Sequence, residues 1–318
     1  MNGKERFIHA LKRLPPLPGR VPHFELVFFL TMEAFRSVHP AHRDYNQWHQ
    51  MTSTEKAAHI DDIADLYIKS AEEFGHDCIF IHDCAAYDGM VEAVASAIRD
   101  KTGDEYFLIC HGDPTFAIPD GKGMEEFSIR IACEPEELHR EAEGLVDKHL
   151  KKAERFMGRG LLDGFGMCSD YCFNNGPFLS PAMFHEFVAP YLSRTISAYR
   201  EMGFYSIKHT DGNIMPIIDQ LADTAPDALH SLDPQAGVDI AEIKRIYGGR
   251  FCLIGNVNCG LLQTGSDDDA VSSARYALQS GMPGGGYIFS TSNCVYTGMP
   301  LRRYKLMLDV LEKYGYYE

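Results

Sequence analysis

The chain has 318 residues, 45% of them hydrophobic and 24% charged, with a formal net charge of −15. That length can bury a large core, as one big α/β domain or two ordinary ones. The acidic balance argues against a nucleic-acid binder and makes a polyanionic substrate awkward. No apolar run is long enough to span a bilayer, and the opening MNGKERFIHALKRLPPLPGR lacks the apolar core of a signal peptide. The nine scattered cysteines read as thiols, so a cytoplasmic protein with no membrane or nucleic-acid partner is expected.

In chain order, a charged helix-like segment precedes a first apolar run, VPHFELVFF from Val21. A helix over 55–74, opened by Ser53 or Thr54, leads to CIFIH from Cys78. The connection to YFLICHG from Tyr106 is helical only in part. The stretch that follows, DPTFAIPDGKGMEEFSIRIACEP, is turn-rich and reads as a loop over one end of the fold. A helix over 135–157, whose KHLKKAER run reads as a solvated face, precedes LLDGFGM from Leu161. Ser180-Pro181 opens a helix over 182–202 that leads to YSIKH from Tyr205. Helices over 213–222, 239–247 and 268–280, the last two capped by Asp239 and Ser266, separate ALHSLDP from Ala228, FCLIGNV from Phe251 and GYIFSTS from Gly286. A helix over 301–314 ends the series.

Eight apolar strands separated mostly by helices predict an α/β fold, a (β/α)₈ TIM barrel in one domain over 1–318 with a long loop over its C-terminal mouth. The alternative is an open doubly wound sheet, which normally has a Gly-rich phosphate turn after its first strand; VFFLTMEAF contains no glycine. A barrel puts its chemistry at the C-terminal strand ends. Those ends carry Glu25, His82-Asp83, His111 with Asp113, and Asp170-Tyr171-Cys172. The remaining four carry His209 with Asp211, Asp233 with Gln235, Asn256 with Asn258 beside Cys259, and Asn293-Cys294. The opposite ends, such as EFGHD, REMGF and YGGRF, are plain turns.

The sharpest subset is His209, Asp211 and Cys294, whose imidazole, carboxylate and thiolate suit zinc; a catalytic zinc keeps three protein ligands and one open position. His209-x-Asp211 also has a plainer reading, because Asp211-Gly212 is a competent Asx turn. His82-Asp83 is either a base with its orienter or a strand-terminal hydrogen bond. Cys168 and Cys172 read as half-buried thiols, and the GGG at 284–286 as the turn into the last strand. The catalytic candidates are Asp83, His82 and Asp170; those for substrate binding are Glu25, Tyr171, Asn256 and Asn293. Tyr87, Phe116, Tyr171, Phe173 and Tyr296 either line an aromatic pocket or pack within loops.

From LLDGFG to the end the chain resembles the uroporphyrinogen decarboxylase superfamily, in NNGPFLSPAMFHEFVAPYL, HTDGNIMPIIDQLADTAPDALHSLDP, GRFCLIGNVN and MPLRRYKLMLDVLEKYGYY. ERFIHALKRLPPLPGRVPHFE fits more loosely, and 84–133 least. The resemblance implies a (β/α)₈ barrel with its site at the strand C-termini. The decarboxylases hold a polycarboxylate with an arginine-rich segment after the first strand. Here FELVFFLTMEAF carries Glu25 and Glu33 and no arginine, the next being Arg36 just after it. Asp83 matches their key aspartate, but Asn293-Cys294 stands where they have a histidine. A cavity lined by Glu25, Asp83, Asp170 and Asp211 would repel such a substrate.

The superfamily's other branch is the cobalamin-dependent methyltransferases. That likeness implies zinc on His209 and Cys294, with Asp211 replacing a middle cysteine and Glu25 as a fourth ligand. It implies methyl transfer from a small methylated substrate, such as a methoxylated aromatic or a methylamine, to cobalamin. The chain has no Asp-x-His-x-x-Gly corrinoid motif, so the cobalamin is expected on a separate corrinoid protein docked over the mouth, at the loop after His111 and at SDYCFNN. Zinc or a protonated Asp83 would stabilise the departing oxygen. The alternatives are a decarboxylase acting on an unusual substrate and a non-catalytic barrel that binds a ligand.

Overall fold

Seven of the eight predicted strands pair in one parallel sheet, in the order Tyr287–Thr291, Cys252–Val257, Ala228–His230, Tyr205–His209, Gly164–Cys168, Phe107–His111 and Cys78–Ile81. The computed structural model describes residues 1–83 and 87–318. Cys84, read as a thiol from the sequence, lies outside them; the eight described cysteines are free. Each ladder strand is joined to the next by at least one helix, as parallel pairing requires.

The first predicted strand is a correction. Residues 22–29 form no regular ladder, although they occupy the eighth place in the barrel wall. Phe24 N donates to Phe289 O at 3.1 Å and Phe289 N to Pro22 O at 2.8 Å; on the other side Asp77 N donates to His23 O at 2.8 Å. Pro22 has no N–H, and His23 spends its own on the Asp77 carboxylate at 2.8 Å, so the ladder is interrupted where it would start. The expected (β/α)₈ wall is therefore seven strands plus one irregular segment.

Strand periodicity sorts the side chains into two layers. Phe80, Phe107, Ile109, Ile207, Ala228, Ile254 and Ile288 share one cluster inside the barrel, closed from below by Phe7, Ala10 and Leu11 of the helix Gly3–Leu11. Ile79, Ile81, Leu108, Cys110, Leu229, Leu253 and Phe289 face the helices. With both faces covered, the strands read as continuous apolar runs rather than alternating ones.

Most helix boundaries follow the expected chemistry. Ser180, Asp239 and Ser266 cap as expected, Ser266 in a capping box with Asp269. The helix Ser53–Phe74 is capped one residue earlier than expected, by Thr52, whose partner Glu55 completes a second capping box. The expected helix over 182–202 is two, Pro181–Phe187 and Ala189–Glu201, because Pro190 cannot donate to the preceding turn. The long stretch after His111 is not all loop, since Gly123–Cys133 is helical. Before it, the connection expected to be helical only in part carries the helix Met90–Thr102. The GGG turn closes on the N-terminal segment, where a Cβ on Gly285 would sit 2.5 Å from Leu14 O. No described helix is long and apolar enough to cross a membrane.

Candidate active site at the barrel mouth

The parity that sends Ile207 into the barrel also sends His209 inward one turn of the pleat further on. By the same count His82, His111, Cys168, His230, Asn256 and Ser290 form the top polar layer above the apolar interior. His209 and His230 are register partners on neighbouring parallel strands. Just beyond the strand ends, ligand atoms of Asp170, His209 and Asp211 all lie within 4.8 Å of one another. Nε2 of His209 is 3.6 Å from Asp170 Oδ1 and 3.7 Å from Asp211 Oδ1.

This group is electrostatically tense. Burial, joined by the Asp170 charge, raises the Asp211 carboxyl to about 7 against the hydrogen bond from Ser231. Burial also lowers His209 to about 4, although Asp170 pulls the other way, so its imidazole is neutral near pH 7. Asp211 is held by Ser231 Oγ at 2.7 Å and by the Asn293 amide, neither of them cationic. The Asp211 N–H in turn donates to Asp170 Oδ1 at 3.0 Å, so the backbone links the two carboxylates. A neutral imidazole nitrogen and two close carboxylates, with no cation hydrogen-bonded to Asp211 among the described residues, suit a divalent metal.

The geometry of KHTDGN is that of a tight turn. Gly212 has φ 81°. A Cβ there would lie 2.4 Å from Cys172 O, and Asn213 N donates to Phe173 O at 2.9 Å, so the turn is clamped on the hairpin Cys172–Phe173/Gly176–Pro177. Gly212→Ala is expected to cost about 2 kcal/mol or more in urea unfolding. Gly212→Asn should not rescue it, because Asn tolerates the dihedral but brings the same Cβ against the same oxygen.

The structure brings only some of the expected residues together. Cys294 lies outside the 4.8 Å group, which takes Asp170 in its place. Its thiol nonetheless feels burial first and then the Asp211 charge, both raising its pKa. Asn293 reaches Asp211, whereas Asn256 is buried and donates to Leu232 O at 2.9 Å. Glu25 turns into the wall: Thr291 Oγ1 donates to it at 2.5 Å, and Ser290 and His23 flank it at 3.4 and 3.3 Å, beside a cavity of about 30 Å³.

Tyr171 is buried with its hydroxyl 2.6 Å from Thr115 Oγ1. His82 is buried, 3.2 Å from the Tyr67 hydroxyl, and burial with the neighbouring His39 and His111 drives its pKa well down. Asp83 is half-exposed and pairs with Lys152 at 2.9 Å. That pair opens on a groove of about 430 Å³ lined by Lys148, Lys151 and Arg155, so the KHLKKAER face is partly engaged rather than simply solvated. The five aromatics do not form one pocket. Tyr87 stacks on Trp48, Phe173 packs near Phe178, and Tyr296 bonds Gln263, while Phe116 and Tyr171 share a small cavity.

Three residues escaped the sequence reading. His230 closes its strand, where its place in ALH was the available signal. Ser231 follows it. Lys208 is fully buried, with Nζ 2.7 Å from Asp113 Oδ2, 2.8 Å from Ser169 O and 4.2 Å from the Tyr171 ring centroid. A lysine inside an apolar strand beside His209 was legible, but its partner ninety-odd residues away was not.

The family model described as uroporphyrinogen decarboxylase (URO-D) matches residues 129–314, more than half of the chain. The chain belongs to the uroporphyrinogen decarboxylase family. A curated member, the uroporphyrinogen decarboxylase of Anaeromyxobacter dehalogenans, is 30% identical over 131 residues, 41% of this chain and 36% of that protein. The match thus spans about a third of the relative's length. Among solved structures, a methyltransferase from Methanosarcina mazei superposes with a TM-score of 0.75 at 18% identity, covering 98% of this chain and 99% of the other. A GH5_18 protein from Streptomyces cattleya in complex with GlcNAc gives 0.53 at 11% identity, over 93% and 80%. At such identities these likenesses are of fold, and the chemistry of this family member has to be argued from its own mouth residues.

Proposed function

We propose that this chain is a methyltransferase that moves a methyl group from a small methylated substrate to the cobalt of a corrinoid carried by a separate protein. The Asp170, His209 and Asp211 group at the barrel mouth carries the reading, since its donor set and unneutralised carboxylates fit zinc. Zinc, when bound, supplies a Lewis acid for the charge that develops on the leaving heteroatom, and the partner's cobalamin supplies the methyl acceptor.

The chain's own residues do the positioning. His209 and Asp211 hold the metal from the fifth predicted strand, and Asp170 meets them from the fourth. Cys294 and Cys168 both feel the Asp211 charge and are the thiols near the same centre. Ser231 and Asn293 fix the Asp211 carboxylate, while Lys208 ties down the Met167–Ser169 backbone that leads to Asp170. Asp170, whose side chain is 49% exposed, is the member of the group most open to solvent and so to an incoming substrate. Uroporphyrinogen decarboxylation fits less well, because a mouth built around Asp170 and Asp211 repels a polycarboxylate. The fold shared with the Methanosarcina mazei methyltransferase accommodates this reading, and the mouth residues carry it.

The test combines metal analysis with a donor screen. Purified protein is expected to hold about one zinc per chain. Mixed with free cob(I)alamin and a panel of methoxylated aromatics, methylamines and methanol, it should form methylcobalamin from at least one donor, seen by absorbance. Metal-free protein that decarboxylates a porphyrinogen and methylates no cobalamin would reverse the assignment.

A further inference from the structure

Nδ1 of His209 lies 2.8 Å from Nδ1 of His230, and Nε2 of His230 lies 3.1 Å from Thr291 O. Both rings are buried, His230 completely. A carbonyl oxygen can only accept, so the His230 Nε2 must carry the hydrogen. Ser290 Oγ, 3.5 Å from the same nitrogen, gives its own hydrogen towards Glu25 Oε2 at 3.4 Å and so also stands as an acceptor. In a neutral imidazole the other nitrogen is then a bare acceptor, and it faces His209. His209 must therefore donate from Nδ1. Its Nε2 lone pair is left pointing at Asp170 and Asp211.

We propose that His230 is a positioning residue: anchored on Thr291 O, it fixes the His209 tautomer and ring orientation so that Nε2 is the metal-binding nitrogen. This rests on the metal reading above. A ligating histidine commonly donates its other N–H to a carboxylate, a carbonyl or water. Here the acceptor is a second imidazole, whose own direction is set by backbone. Behind it Glu25 accepts from the Thr291 hydroxyl at 2.5 Å, so the carboxylate expected at the substrate instead braces the strand that carries the anchor.

The experiment compares wild type with His230→Leu, His230→Gln and His209→Ala. It reads zinc affinity by chelator competition, and in the metal-free proteins the His209 tautomer by long-range ¹H–¹⁵N correlation. Metal-free wild type should show His209 protonated at Nδ1. His230→Leu should weaken zinc about 10–100-fold and mix the tautomers. His230→Gln should stay within a few-fold, because its amide can both accept from His209 and donate to Thr291 O. If His209→Ala loses zinc while both His230 variants bind like wild type, the positioning role is overturned and the metal reading stands. Wild type protonated at Nε2 overturns the positioning role by itself. Wild type with no His209-dependent zinc overturns both.

Discussion

His209→Ala is expected to abolish stoichiometric zinc and to slow methyl transfer about a thousandfold. The substitution removes the single neutral nitrogen from a group whose other members, Asp170 and Asp211, are both carboxylates. Two close carboxylates without that nitrogen lose a ligand and keep their mutual repulsion, and burial already holds Asp211 up at about 7. A Lewis acid stabilises a developing anion by several kcal/mol, and a thousandfold corresponds to roughly 4 kcal/mol of barrier. Zinc content by elemental analysis and the rate of methylcobalamin formation check it together. A variant that keeps both zinc and rate would remove His209 from the site. Asp170→Asn, which keeps an oxygen donor but loses the charge, should fall between the variant and wild type.

Lys208→Met should be the most damaging single change to stability. Lys208 and Asp113 form an ion pair with almost no solvent contact, their side chains 0% and 4% exposed. The ammonium also donates to Met167 O at 3.1 Å and Ser169 O at 2.8 Å, and lies over the Tyr171 ring. Methionine fills most of the volume but leaves the buried Asp113 charge without its cation and two carbonyls without their donor, a loss of about 3–5 kcal/mol. Lys208→Met combined with Asp113→Leu should recover part of that loss, since the stranded carboxylate is gone.

The pair also predicts an acid-side signature. Burial alone would raise the Asp113 carboxyl, but the charge and hydrogen bond of Lys208 and the bonds from Thr115 outweigh it and hold the pKa below the ordinary value. A lowered folded-state pKa contributes stability above the unfolded carboxylate pKa. That stability is lost as the pH falls through the folded one, so the pair's share disappears below about pH 4. Urea unfolding of wild type should show this acid loss. Lys208→Met should show it weakened or reversed. Equal pH dependence in the two proteins would mean that Asp113 is held by its other donors.

Seven strands, most helices and the crowding of polar residues at one end of the strands were readable from the residues alone. Each depends on local rules: apolar runs of strand length, capping side chains, and proline and glycine at turns. The two-residue period put His209 and Asp211 on one side before any contact was known, and the same period put both above Ile207. The family resemblance in the C-terminal half came from contiguous motifs, which are local in the same sense.

What needed the tertiary structure were relations between distant segments. The 22–29 stretch looks like a strand, yet a side chain at Asp77 captures the His23 N–H and breaks its ladder. Asp170 rather than Cys294 joins the His209 group because the hairpin after Cys168 folds back onto the turn at Gly212. Lys208 looked like a strand residue until Asp113 closed over it, and Glu25 turned inward because Thr291 offered it an N–H and a hydroxyl. His230 became meaningful only through its register with His209. The sequence by itself determined which side chains stand at the strand ends, because that follows from a period along one strand. Which of them meet depends on strand register and loop closure, and these are set by packing across the whole barrel.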